Sequence, residues 1–389
     1  MIRHFIRKFS LNKSIRKDER PSKNISNLLD DALVFPERRQ KQPLKEWSTL
    51  PYPEGTVFQR RDQGLKVLRP NINPRETSII LFPGQGSQFV GMGAQLVQIP
   101  EVLDMYEIAS DILKYNLLEI CLKGPKKDLD RTVFSQPAIL VTSLACLERL
   151  KEERPNAIES CISTAGFSLG EISALVFAGV IPFDQAVRLV QIRAEAMQYA
   201  SDLNQGGMAM ILYGPDSKLN FAIKAAREWC AQKGTQQPDC VIANYLYPHC
   251  KVVAGSEEAL SFIEKNANVF NIKRVKRLPV SGAFHSTLMK AAVEPFRAAL
   301  NKIKLDDPAI AVHSNIDGMP YKNADHIKNQ LPMQIIKPVK WEQTLHILYE
   351  RRDGESFPRT FECGPGQGLR AILKQVNAKA WNTSYNIEP

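Results

Sequence analysis

The sequence predicts an α/β fold in which a parallel sheet carries a smaller inserted unit. Short apolar strands alternate with helical patterns before residue 206 and after residue 280, as in sheets whose parallel strands are joined by helices. Between these two positions the order becomes strand, helix, strand, strand, helix, strand, which is typical of a ferredoxin-like unit. A Gly-x-Ser-x-Gly turn between a small-residue strand and an apolar helix indicates where such a fold would carry its chemistry.

The chain of 389 residues has room for one large domain or two modest ones. We predict a presequence at 1–20, an extension or linker at 21–75, a large domain formed by 76–205 and 281–389, and the inserted unit at 206–280. The seven cysteines are scattered, odd in number and without a C-x-x-C pair. This pattern argues against a disulfide framework or a structural zinc site and favours a reducing compartment. No apolar run approaches the ~18 residues that span a bilayer, so we expect no membrane span.

The first twenty residues form a basic arm. They hold seven Lys/Arg against two acids, Asp18 and Glu19, and so supply +5 of the net charge of +10. Apolar residues recur among the early basic ones and no acid precedes Asp18, which is the pattern of an amphipathic mitochondrial presequence. The alternative is a basic arm that binds nucleic acid or lipid. We favour the presequence, and with it the mitochondrial matrix, because the arm is N-terminal and a globular pattern follows it.

The first strand of the large domain covers residues 77–82, and a glycine-rich loop at 83–88 and a helix from about Phe89 follow it. Such a loop can hold a phosphate. However, no Gly-Lys-Ser/Thr follows, and Phe89 occupies the position that a dinucleotide fingerprint gives to glycine. The other use of the loop is to present backbone N–H groups to an oxyanion. A second apolar helix is expected to open at Ser135 and to run to about Leu150.

The segment Ala165–Glu171 is the Gly-x-Ser-x-Gly turn. Its flanking glycines permit a strained, closely packed turn that holds the Ser168 oxygen at a helix N-terminus. There the helix dipole and free N–H groups favour a developing negative charge, and the N–H of Leu169 is a natural oxyanion donor. The alternative is that Ser168 is an ordinary helix cap. On these residues alone the two interpretations are evenly matched.

The next helix has Asp184 as a possible cap and runs to about Ser201. Arg193 lies on its apolar stripe, three or four residues from Val190 and Met197, and therefore points inward. A buried guanidinium needs a carboxylate partner and matches one bidentately. An internal salt bridge to Asp or Glu, or an arginine that reaches the surface, is the more common explanation of such a position.

The inserted unit is predicted to contain four strands and two helices. The strands cover 208–213, 240–244, 251–254 and 273–280, and the helices cover 216–232 and 257–266.

The chain then returns to the large domain. Ser286 can cap a helix to about Lys302, which places His285 at a strand-to-helix junction. For any single histidine of the chain a structural role is more common than a catalytic one. The last unit is a strand at 359–361, a turn at 362–366 and a helix to about Val376.

Four separated motifs together resemble one family, the malonyl-CoA:acyl carrier protein transacylases in their mitochondrial form. The resemblance covers roughly Arg75 to Trp381. The motifs are Phe82-Pro83-Gly84-Gln85-Gly86-Ser87-Gln88, Gly166-Phe167-Ser168-Leu169-Gly170-Glu171, the pair Arg193 and Met197, and Gly282-Ala283-Phe284-His285-Ser286. The resemblance implies an α/β-hydrolase-like core with a ferredoxin-like insert and the transfer of a malonyl group through a malonyl-serine ester.

The resemblance also implies the roles of the site residues. Ser168 would be the nucleophile and His285 the general base that later acts as an acid, with a backbone carbonyl rather than an aspartate orienting the imidazole. The backbone N–H groups of Gln85 and Leu169 would form the oxyanion hole. Arg193 would bind the free carboxylate of the malonyl group. The remaining substrate-binding residues expected near the site are Met197, Gln136, Asn244 and Phe284, the last resembling malonyl-selective members.

Two positions depart from the bacterial pattern of the family. Phe167 stands where bacterial members usually have histidine, as the mitochondrial branch does, and Lys340 stands where they usually have glutamine. Lys340 leaves its backbone carbonyl available but puts any role of its side chain in doubt.

The implied partners are malonyl-CoA and an acyl carrier protein whose phosphopantetheine accepts the acyl group. No permanently bound cofactor, no metal and no nucleic acid are expected. A basic cluster, Lys273, Arg274, Lys276 and Arg277, would suit an acidic carrier, although a solvated strand edge explains it equally well. Two other functions stay open at this point, a serine esterase or thioesterase and a non-catalytic subunit that docks the carrier protein.

Overall fold

The computed structural model describes residues 72–351 and 354–389, so the predicted presequence and most of the predicted linker lie outside the described residues. The main sheet has the strand order β10-β9-β1-β2-β7, and each neighbouring pair is parallel. Its strands are β1 (Ser78–Phe82), β2 (Cys161–Gly166), β7 (Ala311–His313), β9 (Arg359–Cys363) and β10 (Ser384–Ile387). Phe82 pairs with Gly166, so the carboxyl ends of the two central strands meet at one edge of the sheet. The predicted parallel α/β sheet is therefore confirmed.

The helices of the described chain connect and cover the strands. They are α1 (Pro100–Leu113), α2 (Leu117–Lys123), α3 (Lys126–Leu129), α4 (Thr132–Glu153), α5 (Pro155–Glu159), α6 (Gly170–Phe177), α7 (Phe183–Leu203), α8 (Leu219–Gln232), α9 (Glu257–Lys265), α10 (Val293–Lys302), α11 (Ala324–Gln330), α12 (Trp341–Tyr349), α13 (Gly368–Val376) and α14 (Ala378–Trp381). The main hydrophobic core lies where α1, α4, α6 and α7 pack together and against β1. This core fixes the edge at which β1 and β2 end.

Helix α4 begins at Thr132, three residues earlier than predicted, and Pro137 lies inside it. Proline has no N–H, so the carbonyl of Val133 loses its intrahelical donor. The hydroxyl of Tyr115 donates to that carbonyl at 3.4 Å and replaces the lost bond.

Among the described residues, α4 is the one helix that is long and apolar enough to cross a membrane. This corrects the expectation that no apolar run approaches that length. However, 83% of its most apolar window is buried inside the protein, as in a core helix.

Two further predicted helix starts differ from the structure. No helix follows the glycine-rich loop at Phe89: Gly91 and Gly93 have φ values of 103° and 89°, which a right-handed helix does not allow, and α1 starts only at Pro100. Ser286 does cap the element after it, its hydroxyl accepting from the N–H of Leu288, but that element is a short 3₁₀ segment, Thr287–Ala292. The regular helix α10 follows from Val293.

The second sheet has the order β6-β3-β5-β4-β8. Four of its strands, β3 (Gly206–Tyr213), β4 (Cys240–Tyr247), β5 (Cys250–Ser256) and β6 (Ile272–Arg277), form antiparallel pairs, and α8 and α9 pack on one face over a separate core. This is the predicted ferredoxin-like arrangement. A fifth strand, β8 (Val339–Lys340), comes from the later part of the chain and pairs in parallel with β4.

Candidate active site

The turn after β2 carries Ser168 in the left-handed region, with φ of 52°. A Cβ on Gly166 would lie 1.8 Å from the carbonyl oxygen of Gly170, so only glycine fits where the turn folds back on itself. The side chain of Asn315, which follows β7, fastens the turn from outside. Its Oδ1 accepts from the N–H of Ser168 at 2.6 Å, and its Nδ2 donates to the carbonyl of Gly166 at 2.7 Å. The serine is therefore held by tertiary contacts as well as by its own turn.

Ser168 and His285 are in direct contact. The Oγ of Ser168 lies 2.8 Å from Nε2 of His285, and Nδ1 of His285 lies 2.7 Å from the backbone carbonyl of Gln334. Because a carbonyl only accepts, Nδ1 carries the proton and Nε2 is free to accept from the serine hydroxyl. Burial lowers the pKa of His285 to about 4, so the imidazole is neutral at neutral pH. A neutral imidazole in this tautomer can remove the proton of Ser168.

The carbonyl that orients the imidazole belongs to Gln334, a residue that the sequence did not single out. Lys340, whose carbonyl was left available for such a role, does not supply it. Its carbonyl accepts instead from the hydroxyl of Thr344 at 3.0 Å, one turn into α12. The expectation of a backbone acceptor, rather than an aspartate, agrees with this geometry.

Arg193 reaches the same point from α7. Its side chain is 1% exposed, and its guanidinium donates to Oε1 of Gln136 and Oε1 of Gln334, both at 2.8 Å, and to Oγ of Ser168 at 3.2 Å. Within the described residues no carboxylate forms an ion pair with it. The internal salt bridge that seemed the more common explanation is therefore wrong. Burial lowers the pKa of Arg193 to about 10, which leaves the guanidinium charged.

The glycine-rich loop lies against the serine turn. A Cβ on Gly84 would lie 2.3 Å from the carbonyl oxygen of Phe167, so Gly84 packs directly against Phe167. In the described part of the chain, the backbone N–H groups of Gln85 and Leu169 donate to no protein acceptor. Both amides are thus free to donate to a substrate oxygen, and each directly follows a residue of this contact region, Gly84 or Ser168.

Of the other predicted site residues, Gln136 forms hydrogen bonds within the site, whereas in the described chain Phe284 and Asn244 do not contact it through hydrogen bonds of their side chains. Gln136 is buried and joins three of the predicted positions: its Nε2 contacts Oε1 of Gln85 at 3.3 Å and Sδ of Met197 at 3.5 Å, and its Oε1 accepts from Arg193. Phe284 packs in the main core beside His285. Asn244 lies in β4 opposite Val252 and Val339 and is buried, but its side chain forms no hydrogen bond with any described residue.

Glu171 also belongs to this cluster, although no role was predicted for it beyond its place at the end of the Gly166–Glu171 motif. It lies in the first turn of α6 and is fully buried, and its carboxylate accepts from Nε2 of Gln334 at 2.6 Å, from the hydroxyl of Tyr321, and from the N–H of Asn315 at 3.3 Å. Burial raises its pKa to about 7, against the lowering effect of these hydrogen bonds and of Arg193. A single charged residue in the first turn of an otherwise apolar helix was the available signal for it.

Comparison with known proteins agrees with the motifs. Residues 79–353 match the model of the acyl transferase domain. A Drosophila melanogaster protein, a probable mitochondrial malonyl-CoA-acyl carrier protein transacylase, is 59% identical over 319 residues, which is 82% of this chain and 84% of that protein. The human mitochondrial malonyl-CoA-acyl carrier protein transacylase is 49% identical over 310 residues, 80% of each chain. The crystal structure of an acyl-carrier-protein S-malonyltransferase from Bartonella henselae superposes with a TM-score of 0.71 at 29% identity and covers 80% of this chain and 96% of that one.

Proposed function

The chain belongs to the malonyl-CoA-acyl carrier protein transacylases of the acyl transferase domain family, and from this premise we propose that it moves a malonyl group from malonyl-CoA to the phosphopantetheine thiol of an acyl carrier protein. One observation carries the proposal. A serine activated by a neutral imidazole lies within hydrogen-bond distance of a buried guanidinium whose protein partners are all uncharged. A nucleophile beside a cation that no carboxylate of the described chain binds directly suits an acyl group that bears its own carboxylate.

The first half-reaction forms the acyl-enzyme. Oγ of Ser168 attacks the thioester carbonyl while Nε2 of His285 takes its proton, and the carbonyl oxygen becomes an oxyanion that the N–H groups of Gln85 and Leu169 receive. The carbon–sulfur bond then breaks, and the imidazolium returns the proton to the departing CoA thiolate. The product is a malonyl ester of Ser168 and free CoA.

The second half-reaction runs the same steps in reverse with a different thiol. His285 takes the proton of the phosphopantetheine thiol, the thiolate attacks the ester, and the same two N–H groups receive the second oxyanion. Ser168 leaves with the proton from His285. Because both half-reactions pass through an oxyanion at one place, one preorganised site serves both.

Arg193 holds the acyl chain. In the resting site its Nη2 lies 3.2 Å from the attacking oxygen, so a carboxylate one methylene away from the reacting carbonyl falls within reach of the guanidinium. The clamp fixes the carbonyl against Ser168 and supplies the near-attack geometry that an unrestrained acyl group lacks. It also favours transfer over hydrolysis, because the ester carbonyl is turned toward the incoming thiol.

The partner and the compartment follow from the same premise. An acyl carrier protein is the second substrate, and mitochondrial fatty acid synthesis in the matrix is the setting. Two observations support this: the relatives named above are mitochondrial, and residues 1–17 are basic and free of acids. No permanently bound cofactor is required, since the reaction moves an acyl group between oxygen and sulfur without a change in oxidation state.

Trapping the acyl-enzyme tests the proposal. Labelled malonyl-CoA is added without carrier protein, and intact mass and peptide mapping locate the label, with Ser168→Ala as the control. We expect one malonyl group on Ser168, which holo carrier protein then removes onto its own thiol. Rapid release of free malonate with no transfer to the carrier would instead indicate an esterase or thioesterase. If the protein binds the carrier protein but forms no malonyl adduct, it is a non-catalytic docking subunit.

A further inference from the structure

The buried charge of Arg193 raises a question that its direct partners do not answer. All three of its acceptors in the described chain are neutral oxygens, those of Gln136, Gln334 and Ser168. A guanidinium that is 1% exposed needs more than neutral dipoles, because taking a charge out of water is costly unless another charge compensates it. The side-chain amide of Gln334 connects the guanidinium of Arg193 to a carboxylate, that of Glu171.

The amide of Gln334 can take only one orientation. Its nitrogen donates to the backbone carbonyl of Ser168 at 2.8 Å and to Oε2 of Glu171 at 2.6 Å; the carbonyl only accepts, and the carboxylate only accepts while it is ionised. Its oxygen is then left to face Nη2 of Arg193. Turning the amide over would place oxygen against two acceptors and an NH₂ group against a cation, and all three bonds would be lost.

The carboxylate of Glu171 is itself firmly placed. It lies at the N-terminal turn of α6, where the helix dipole favours a negative charge, and Tyr321 and Asn315 donate to its other oxygen. The titratable groups that act on it are Tyr321 and Arg193. Burial and the neighbouring carboxylate raise the pKa of Tyr321 well above its ordinary value, so this phenol stays a neutral donor.

We propose that Glu171 is a positioning residue, whose carboxylate locks the Gln334 amide with its oxygen toward Arg193 and so keeps the guanidinium aimed at the carboxylate of the acyl group. The inference rests on the proposed function and deepens it, since it names a residue that sets the preference for an acid-bearing acyl chain without contacting that chain. The carboxyl group fixes the amide only while it is ionised, because a protonated Glu171 could donate to the amide oxygen of Gln334 in the opposite orientation. Selectivity for the acid-bearing chain is therefore lost as the pH falls through about 7, the pKa that burial gives this carboxyl group.

The test is the ratio of kcat/KM for malonyl-CoA to kcat/KM for acetyl-CoA, a thioester that lacks the second carboxylate, measured with holo carrier protein across this pH range. Loss of one hydrogen bond to a charged group changes such a ratio by about 10- to 100-fold. We expect Glu171→Gln to lower the ratio by that amount, mainly through KM for malonyl-CoA, and to make it independent of pH. Tyr321→Phe removes a bond that lowers the pKa of Glu171, so the midpoint of the wild-type pH dependence should move upward.

A purely structural role of Glu171 gives a different result. Equal losses for both thioesters in Glu171→Gln, or a malonyl-to-acetyl ratio within about threefold of wild type, would overturn the inference. Malonyl transfer by the wild type would still support the proposed function in that case. Should Glu171→Gln not fold, Gln334→Met breaks the same connection one step later and keeps the backbone carbonyl that orients His285. An unchanged ratio in Gln334→Met overturns the inference as well, and a wild type that forms no malonyl-Ser168 ester overturns both.

Discussion

Replacing Arg193 by methionine separates the binding of the acyl carboxylate from the chemistry at Ser168. Methionine keeps most of the buried volume on α7 and removes only the guanidinium. Removing one partner of a buried ion pair costs about 3–5 kcal/mol. At about 1.4 kcal/mol per factor of ten, kcat/KM for malonyl-CoA should fall by roughly 10²- to 4 × 10³-fold. Acetyl transfer should survive or increase, because the acetyl group has no carboxylate to lose.

Replacing Arg193 by methionine should also raise the pKa of His285. After burial, which is the largest cause, the positive charge of Arg193 also lowers the pKa of His285. Without that charge the imidazole should titrate at a higher pH, so the acid limb of the acetyl-transfer profile should move upward from about 4 toward the ordinary histidine value.

The assay follows transfer of each acyl group to holo carrier protein by mass spectrometry over a range of pH. Arg188→Met is the matched control, since Arg188 lies on the same helix, is only partly buried, and has no hydrogen bond to Ser168, His285 or Gln334 within the described residues. Thermal unfolding of both variants checks that the fold persists. Equal losses of malonyl and acetyl transfer in Arg193→Met, with a folded protein, would refute the assignment of Arg193 as the carboxylate clamp.

Three further changes probe the serine turn, the buried His313 and the start of α13. Gly166→Ala should abolish acyl-enzyme formation and lower thermal stability, because its Cβ would lie 1.8 Å from the carbonyl oxygen of Gly170; retained labelling of Ser168 would contradict this. His313 is buried with its pKa lowered to about 4, so the folded state resists a proton that the unfolded state takes up below about 6.5, and stability should fall with falling pH by about 1.4 kcal/mol per unit from this residue alone. His313→Asn should remove that part of the slope in urea titrations between these values, and an unchanged slope would contradict it. Glu362→Ala removes the carboxylate that accepts from the N–H groups of Leu369 and Arg370 at 3.0 and 2.7 Å. The loss of this helix cap should lower the free energy of unfolding by about 1–2 kcal/mol, and an unchanged value in urea titrations would contradict it.

Features that depend on neighbouring residues were predictable from the sequence. The six elements of the inserted unit follow from a change of pattern within about 75 residues, and the turn at Ser168 follows from glycines two residues on either side. Three predicted helix starts, at Phe89, Ser135 and Ser286, differ from the structure, and the first two have identifiable causes. Glycines with positive φ prevented the first helix, and a tyrosine hydroxyl allowed the second to begin before a proline.

Gln334 could not be found in the same way. It lies in a 3₁₀ segment, Leu331–Ile335, and its role depends on hydrogen bonds to residues 49, 141, 163 and 166 positions away in the chain. A glutamine before two isoleucines has no periodicity that distinguishes it from a core position. The partner of Arg193 was missed for a related reason, because a buried arginine bound to two amide oxygens cannot be distinguished in sequence from one bound to a carboxylate.

The backbone of the two reacting residues shows why the site needs these distant contacts. Ser168 and His285 have φ values of 52° and 59°, and each such position costs a residue with a Cβ about 1–3 kcal/mol. The chain holds both conformations by contacts from other segments: Asn315 accepts from the N–H of Ser168, and the carbonyl of Ile335 accepts from the N–H of His285 at 3.1 Å. These contacts come from residues after 280, whereas the serine turn comes from residues before 206. The reacting geometry therefore exists only when the segment before residue 206 and the segment after residue 280 have packed together. Through that packing Ser168, which could equally have been a helix cap, becomes a nucleophile.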